Sequence, residues 1–377
     1  MNGVLKNLSG WSKILILCGL VVIIAVIIVL VVLRSWEKEP IKIGAVLSLS
    51  GPGAATTVDV RNGMQLAIDE VNAWGGINGR RVELIIEDSQ TNAGEGVKAF
   101  ERIEAAHQCL LYVSNMSSVS LSLAPLAETR EVVLLGLVVS APGFTEGKEW
   151  VFRYWNTAAA EIPVVMSVVE DLEIKKLGMI FLDDPFGRSF YELLKQELEQ
   201  VGGTISGEGF ESRQTDFQLQ IEALMGMEGI HVVGYVSHIK NILEQLNELG
   251  YGGYILGSNA VARKQIRSMP EADGAYVVAS IIHKADFVFA RDTKQKYESE
   301  YGTPFTPHAG GGYDLVAIFA GLLENKEVTR DAVRRALDDG FVYSGVFGSI
   351  NVSAGEHDMS YPLYPARIVD GELDYLR

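Results

Sequence analysis

The chain has 377 residues, 48% of them hydrophobic, and a formal net charge of -16. A chain of this length and apolar content usually forms two domains, each with its own buried core. Because nucleic-acid binding depends on clustered Lys and Arg side chains, the acidic balance excludes a nucleic-acid partner.

An apolar run from Ile14 to Leu33 is about as long as a bilayer core is thick. We interpret residues 14–33 as a transmembrane anchor, residues 1–13 as a short cytoplasmic tail and residues 34–40 as a linker. The run is longer than the apolar region of a cleaved signal peptide. Lipidation of Cys18 is the alternative, which the bulk of Leu17 disfavours. The rest of the chain is therefore expected on the extracytoplasmic side of a cell membrane.

No motif in the chain indicates a metal, a cofactor or catalysis. The two cysteines lie far apart, and the six histidines lack the spacing of a zinc site. The turn around Pro52 matches the dinucleotide fingerprint poorly, because proline removes a backbone donor. No Gly-x-Ser-x-Gly nucleophile motif follows a predicted strand. Hydrolysis by carboxylates brought together from distant segments stays open.

Short apolar runs alternate with stretches of helical period from Ile41 onward, which is typical of a layered α/β protein with a mainly parallel sheet. The first helix is predicted to have a buried stripe from Val60 to Trp74, and Gly75 and Gly76 end it. The predicted strands of this half are Ile41 to Leu49, Val82 to Ile86, Leu110 to Val113 and Val132 to Val139, with helices near Gly96 to Ala106 and after Ser118.

A second series of the same kind begins near Ile162. Its predicted strands are Leu177 to Leu182, Ile230 to Tyr235 and Tyr254 to Leu256, with helices that carry apolar stripes from Phe190 to Val201 and from Ile239 to Leu249. Two similar α/β halves in series are therefore predicted.

Ligands of parallel sheets bind beyond the carboxyl ends of the strands, where helix N-termini expose backbone donors. This rule selects the segments 50–56, 114–118, 138–142, 183–187, 235–238 and 258–259.

The candidates in these segments also have structural interpretations. Ser117 and Ser118 stand where a helix begins, so they either bind an anion or cap the helix. Ser140 follows an apolar strand and bonds either a ligand or its own loop. Phe186 and Tyr235 form either a pocket wall or part of the core.

A set of short stretches between Ile41 and the C-terminus is specific when taken together. These stretches are Ile43-Gly44-Ala45, Ser50-Gly51-Pro52, Gly75-Gly76-Ile77-Asn78-Gly79-Arg80 running into Val82 to Asp88, Phe152-Arg153, Gly234-Tyr235 and Gly312-Tyr313-Asp314. The set resembles the leucine/isoleucine/valine-binding branch of the type I periplasmic binding proteins, the receptors of branched-chain amino acid ABC transporters.

The resemblance implies two Rossmann-like lobes joined by three hinge crossings, which close on a small ligand. The crossings are placed near Arg153 to Asn156, Val277 to Ile281 and His357 to Tyr361. Lobe 1 is then residues 41–156 plus 280–360, and lobe 2 is residues 157–279 plus 361–377.

The resemblance also implies ligand contacts on the first lobe. Ser117 resembles the serine that binds the ligand carboxylate, and Ser118 lies beside it. Ser140 resembles the hydroxyl that touches both carboxylate and ammonium, and Val138 contributes its backbone carbonyl.

Further ligand contacts are implied at Thr56, Phe186 and Tyr235, where the family places pocket aromatics, although Thr56 is not aromatic. Asn259 stands where amino-acid-binding members have an acidic residue that pairs with the ligand ammonium. A neutral side chain there weakens the case for a zwitterion, because a buried charge needs a partner. The expected ligand is a carboxylate or amide with an apolar part.

The sequence thus predicts a membrane-anchored solute-binding receptor that closes on a small carboxylate, amide or amino-acid-like ligand and passes it to an ABC transporter permease. Its contact with the lipid bilayer is through residues 14–33. The alternative is a ligand-sensing ectodomain that reports to a separate signalling partner, and an enzyme is the third hypothesis.

Overall fold

The computed structural model describes residues 38–284 and 287–376, together with Gly19 and Ile23. The predicted tail, almost all of the predicted anchor and most of the linker lie outside the described residues. Within the described ranges, no helix is both long and apolar enough to cross a bilayer.

The described elements alternate between strands and helices over most of the chain. In chain order they are β1 (Ile41–Leu47), α1 (Ala54–Ala73), β2 (Val82–Asp88), α2 (Ala93–His107), β3 (Leu111–Asn115), α3 (Ser117–Arg130), β4 (Val133–Leu137), β5 (Val151–Tyr154), α4 (Ala158–Asp171), β6 (Lys176–Leu182), α5 (Pro185–Gln200), β7 (Thr204–Phe210), α6 (Gln218–Leu224), β8 (Gly229–Val233), α7 (Val236–Glu248), β9 (Tyr254–Gly257), α8 (Lys264–Arg267), β10 (Tyr276–Ser280), α9 (Arg291–Tyr301), α10 (Pro307–Leu322), α11 (Arg330–Asp338), β11 (Phe341–Gly345), β12 (Gly348–Val352), β13 (Asp358–Met359), β14 (Leu363–Val369) and β15 (Glu372–Tyr375).

Two separate sheets form the centres of two lobes. The first sheet is parallel, in the order β13-β5-β4-β3-β1-β2. The second has the order β15-β14-β10-β9-β8-β6-β7, with β14 and β15 antiparallel to their neighbours. Each sheet has an apolar cluster on both faces, as parallel sheets require. The predicted two-lobed α/β fold is confirmed.

The chain passes between the sheets three times. It leaves the first sheet after β5, returns after β10 and leaves again after β13, which pairs with β5 directly before the chain enters β14. Below, lobe 1 is the first sheet with the helices packed on it, and lobe 2 is the second sheet with its helices. The residue limits assigned to the lobes from the sequence stay predictions.

Three local predictions were wrong. Strand β4 ends at Leu137 and does not reach Val139, because Val138 adopts a left-handed backbone conformation with φ 59°, which no strand allows. Helix α1 begins at Ala54, so Thr56, at the end of the segment 50–56 that was expected to precede the helix, lies in its first turn. Trp74 is 91% exposed, because the helix ends one residue before it and the chain turns away.

Helices α1 and α10 pack backbone against backbone over lobe 1. A Cβ atom added at Gly63 would collide with the carbonyl oxygen of Ala309, and one added at Gly312 would collide with that of Val60. Glycine is required at both positions because the two helix axes lie too close for any side chain.

Gly63→Ala should therefore lower the free energy of unfolding by about 2 kcal/mol or more, since overpacking forces the two helices apart. The matched control is Gly321→Ala on α10, where the added methyl meets no atom within 4 Å. Its unfolding free energy should be unchanged or rise by less than about 1 kcal/mol. Calorimetric melting of both variants checks this, and equal melting temperatures would contradict the close packing.

Candidate functional site

A cavity of about 50 Å³ lies between the lobes, beyond the carboxyl ends of the parallel strands. Seven of the eight predicted binding residues line it: Thr56, Ser117, Val138 and Ser140 from lobe 1, and Phe186, Tyr235 and Asn259 from lobe 2. The eighth, Ser118, does not line the cavity and follows Ser117 in the first turn of α3. The structure therefore brings the predicted residues together, while their binding of a ligand stays a prediction.

The N-terminus of α3 faces this cavity with an unused donor. The helix is preceded by Met116, whose side chain makes no capping bond, so neither Ser117 nor Ser118 caps the helix from outside. The Ser117 Oγ accepts hydrogen bonds from the backbone N–H groups of Ser140 and Ala141, both at 3.2 Å. A hydroxyl has one donor and two acceptor positions, so these bonds leave its proton free to donate. Together with the helix dipole, that proton favours an anionic group.

The loop from Val138 to Ala141 is held in an unusual shape by Arg153. A β-branched residue with φ 59° is a backbone outlier, and such strain persists only where the surroundings impose it. Arg153 Nη1 donates to the carbonyl oxygens of Val139 at 3.2 Å and Ala141 at 2.7 Å, and its Nη2 pairs with Asp358 at 2.8 Å. The loop is thus preorganised before any ligand arrives.

The lobe 2 side of the cavity contains an acidic group from the selected segment 183–187 that was not among the predicted ligand contacts. Asp184 lines the cavity and accepts a hydrogen bond from the Gly187 N–H at 2.9 Å. Burial raises the pKa of Asp184 to about 6. Burial and the charge of Asp184 also raise the pKa of Tyr235 well above its ordinary value. The Tyr235 phenol therefore keeps its proton and stays neutral beside Asp184.

A second buried acid lies behind Asn259. Glu161, in the first turn of α4, is 0% exposed. Its carboxylate accepts hydrogen bonds from the Asn259 backbone N–H at 3.1 Å and from Asn259 Nδ2 at 2.8 Å. Burial raises the pKa of Glu161 to about 7. The acid that the resemblance implies at position 259 is absent. The carboxyl group of Glu161 instead lies behind Asn259 and is hydrogen-bonded to it.

Two aromatic side chains complete the apolar wall and were also missed. Trp155 and His308 line the cavity with their rings 5.1 Å apart. Burial and the charge of Arg263 hold the pKa of His308 well below its usual range, so this ring is neutral. Trp155 lies within a predicted hinge crossing, which was a usable signal. No comparable signal marks His308, which lies in the first turn of α10, far along the chain from the other cavity residues.

Arg263 reaches from lobe 2 into lobe 1 beside the cavity. Its guanidinium donates to the Thr56 hydroxyl at 3.1 Å and pairs with Asp59 at 2.7 Å, and it contacts His308 Nδ1 at 3.1 Å. The Arg263 side chain is 2% exposed and that of Asp59 is 13% exposed. Burial raises the pKa of Asp59, against the effect of Arg263, and Thr306 donates a further hydrogen bond to it. This buried ion pair joins the lobes in the closed arrangement.

In the described part of the chain, no group of three or more His, Cys, Asp and Glu side chains is arranged to hold a metal ion. The walls of the cavity are instead polarised. Lobe 1 presents hydroxyl and backbone donors, while lobe 2 presents Asp184 and the Asn259 amide backed by Glu161. Such a cavity suits a small molecule with an anionic end and a hydrogen-bond-donating end.

Comparisons with known proteins agree with this geometry. The sequence model of a family described as periplasmic binding proteins matches residues 40–372. The chain is 24% identical over 334 residues to the chemotactic signal transduction substrate-binding protein BasB of Halobacterium salinarum, covering 83% of this chain and 77% of BasB. It is 22% identical over 335 residues to the Leu/Ile/Val-binding protein homolog 3 of Brucella melitensis, covering 86% of this chain and 90% of that protein.

A solved structure has the same fold. It is that of the branched-chain amino acid transporter substrate binding protein LivJ from Streptococcus pneumoniae in complex with isoleucine. The TM-score is 0.81 at 21% sequence identity, over 89% of this chain and 99% of that chain.

Removing the charge of Asp59 should open the lobes. Asp59→Asn keeps the volume of the side chain but leaves the Arg263 guanidinium buried without a counter-charge, which costs about 3 kcal/mol. We expect a larger radius of gyration by small-angle scattering and a lower melting temperature. The control is Glu87→Gln, which breaks the exposed pair with Arg102 and should cost less than about 1 kcal/mol. A scattering profile of Asp59→Asn identical to that of the unmodified chain would contradict the role of this pair.

Proposed function

The chain belongs to the type I periplasmic binding proteins, in the branch of the Leu/Ile/Val-binding proteins, and from that premise we propose that it is a membrane-anchored receptor that captures an amino-acid-like solute for ABC-type uptake. The extracytoplasmic solute-binding domain is common to the family. The anchor, the permease partner and the ligand class are the specific parts of the proposal.

The polarised cavity between closed lobes is the observation that carries the ligand class. A ligand carboxylate would meet the Ser117 hydroxyl and the N-terminus of α3. A ligand ammonium or amide would meet Asp184 and the Asn259 side chain on the opposite wall. Trp155, Phe186 and the other apolar groups would cover the remaining, nonpolar part. The two acids of lobe 2 remove the objection to a zwitterion that Asn259 raised.

Closure explains how such a ligand is held. Its two ends bond to different lobes, so both sets of contacts exist only when the lobes are shut. The ligand then adds its binding free energy to that of the Arg263–Asp59 pair, and release requires opening. A permease that separates the lobes would free the solute.

Membrane attachment through residues 14–33 is supported by the apolar run in the sequence. The continuous described range begins at Lys38, shortly before β1, so a tether would join lobe 1 at the amino end of its sheet. The cavity lies at the opposite ends of the strands and would face away from the tether.

Sensing is the second candidate function. It is favoured by the similarity to BasB, whose name describes a substrate-binding protein of a chemotactic signal transduction system. The binding step would be the same, and only the partner of the closed form would differ. Co-purification with a signalling protein in place of a permease would favour sensing.

We propose binding without turnover. The acids of the cavity wall, Asp184 and Glu161, are engaged by backbone N–H groups, and the family match is to binding proteins. Unchanged mass of a bound solute after hours of incubation is expected, and its conversion would favour the enzyme hypothesis.

Zwitterionic amino acids with apolar side chains should stabilise the protein. We expect L-isoleucine and L-leucine to raise the melting temperature of the full chain in mild detergent, because ligands that bind only the folded state stabilise it by mass action. L-Lysine, whose second ammonium has no partner on the apolar wall, is the control. A panel of amino acids, amides and carboxylates in which nothing raises the melting temperature would contradict the proposal.

The serines of lobe 1 should contribute directly to affinity. Ser117→Ala combined with Ser140→Ala should weaken binding of the best solute in that panel by about 2 to 4 kcal/mol, through the loss of charge-assisted hydrogen bonds. Ser122→Ala on the same helix is the control, because its hydroxyl bonds only backbone carbonyl oxygens. Titration calorimetry measures both, and unchanged affinity in the double variant would remove these serines from the site.

A further inference from the structure

Glu161 is a buried carboxyl group that the binding scheme above does not use directly. It does not line the cavity, yet both of its oxygens bond to Asn259, which does. No Arg, Lys or His side chain in the described part of the chain is paired with it. A carboxyl group buried at this cost needs a role beyond the stability of the lobe.

The hydrogen-bond chemistry of this pair determines the orientation of the Asn259 amide. An ionised carboxylate only accepts hydrogen bonds, so the amide atom that meets it must be Nδ2. The Oδ1 atom is then turned away from Glu161 and is the acceptor that Asn259 has left for a ligand, beside the second N–H of Nδ2. The site therefore presents an acceptor at this position, although Asn259 carries both kinds of group.

A protonated Glu161 would reverse that orientation. A carboxylic acid has one hydroxyl donor and keeps one good acceptor, so it cannot accept two hydrogen bonds as well as the ion does. The backbone N–H of Asn259 would continue to donate to the carbonyl oxygen of the protonated Glu161 carboxyl group. The side chain would turn its Oδ1 toward the new O–H and its Nδ2 toward the cavity. The same wall would then present a donor in place of an acceptor.

We propose that Glu161 is a positioning and specificity-determining residue, whose ionisation decides which end of the Asn259 amide faces the solute. In the ionised form the site selects a solute with an N–H donor, such as an ammonium or a primary amide. In the protonated form it loses that preference, while a solute that has only a carboxylate is held by lobe 1 as before. This inference rests on the proposed function and names the chemistry that its site recognises.

The electrostatic surroundings allow this switch near neutral pH. Burial raises the pKa of Glu161 to about 7, and the Asn259 backbone N–H opposes that rise. The charge of Glu161 acts on Tyr361 of the third crossing, whose phenol stays neutral because burial raises its pKa. Asp184, the other acid of the lobe 2 wall, has a pKa of about 6 and titrates at lower pH. A raised pKa means that the ionised form is lost as the pH falls below about 7.

The test compares two solutes that differ only in the donor group. L-Isoleucine has an ammonium and a carboxylate, whereas 3-methylpentanoate is the same molecule without the ammonium. Affinities for the full chain in mild detergent are measured by titration calorimetry at pH 8.0 and pH 6.5. The variants are Glu161→Gln, which resembles the protonated acid, and Glu170→Gln, an exposed position of the same helix, as the matched control.

The expected results differ between the variants. The unmodified chain and Glu170→Gln should bind L-isoleucine about fourfold more weakly at pH 6.5 than at pH 8.0, since the ionised fraction of a group with a pKa near 7 falls by that factor. Glu161→Gln should bind it about tenfold more weakly at pH 8.0, with a further loss of at most about 1.3-fold at pH 6.5, from partial protonation of Asp184. Binding of 3-methylpentanoate should change with neither the variant nor the pH. L-Isoleucine binding that is identical in Glu161→Gln and the unmodified chain would overturn the inference and leave the proposed function intact.

A second measurement needs no solute. In the ligand-free, 15N-labelled chain, the side-chain NH₂ signals of Asn259 are identified by their loss in Asn259→Ser. They should shift with a midpoint near pH 7 in the unmodified chain and stay constant in Glu161→Gln. Absence of that shift would overturn the inference. If neither solute binds the unmodified chain, the proposed function fails for these solutes, and the signal of Asn259 alone decides on Glu161.

Discussion

The buried guanidinium of Arg263 is the constraint on which the closed structure depends. A buried charge is costly unless it is paired, and the partners of the Arg263 Nη1 and Nη2 groups all belong to the opposite lobe: Ala55, Thr56, Asp59 and His308. The Arg263 Nε has no hydrogen-bond partner among the described residues. These contacts are possible only at one relative position of the two sheets. That position also brings the ends of both sets of strands together and so defines the cavity. Two of the partners, Thr56 and His308, line the cavity themselves, which links closure to the surface that a solute would touch.

The cavity is polarised because different polar groups follow the strands in the two lobes. In lobe 1 a helix begins directly after β3, so hydroxyl and amide donors meet at its N-terminus. In lobe 2 the loops after β6 and β9 contribute Asp184 and Asn259, and Glu161 lies behind the latter. Donors and acceptors therefore line opposite walls of the same cavity. An amino-acid-like solute has the matching distribution of charge.

Several residues that carried the family resemblance build the frame of the site and do not contact the cavity. Arg153 fixes the loop of Ser140 and pairs with Asp358 of β13, which ties the first crossing to the third. Asp314 accepts hydrogen bonds from the phenols of Tyr154 at 2.8 Å and Tyr343 at 2.7 Å. Burial raises the pKa of Asp314 to about 6. These polar networks hold the crossing strands in register, and that register positions the site.

Local sequence patterns were enough to predict the class of fold and the location of most of the candidate site. Apolar periodicity and glycine signals are local, so they predict the strands and helices. Because ligands bind beyond the carboxyl ends of parallel strands, these elements in turn locate candidate loops such as those of Ser117 and Tyr235. The tertiary structure decided the rest. His308, Arg263 and Glu161 are separated by long stretches of chain from the residues they bond, and no local pattern marks them. Their roles arise from burial and from the meeting of two lobes, which are properties of packing and not of spacing along the chain.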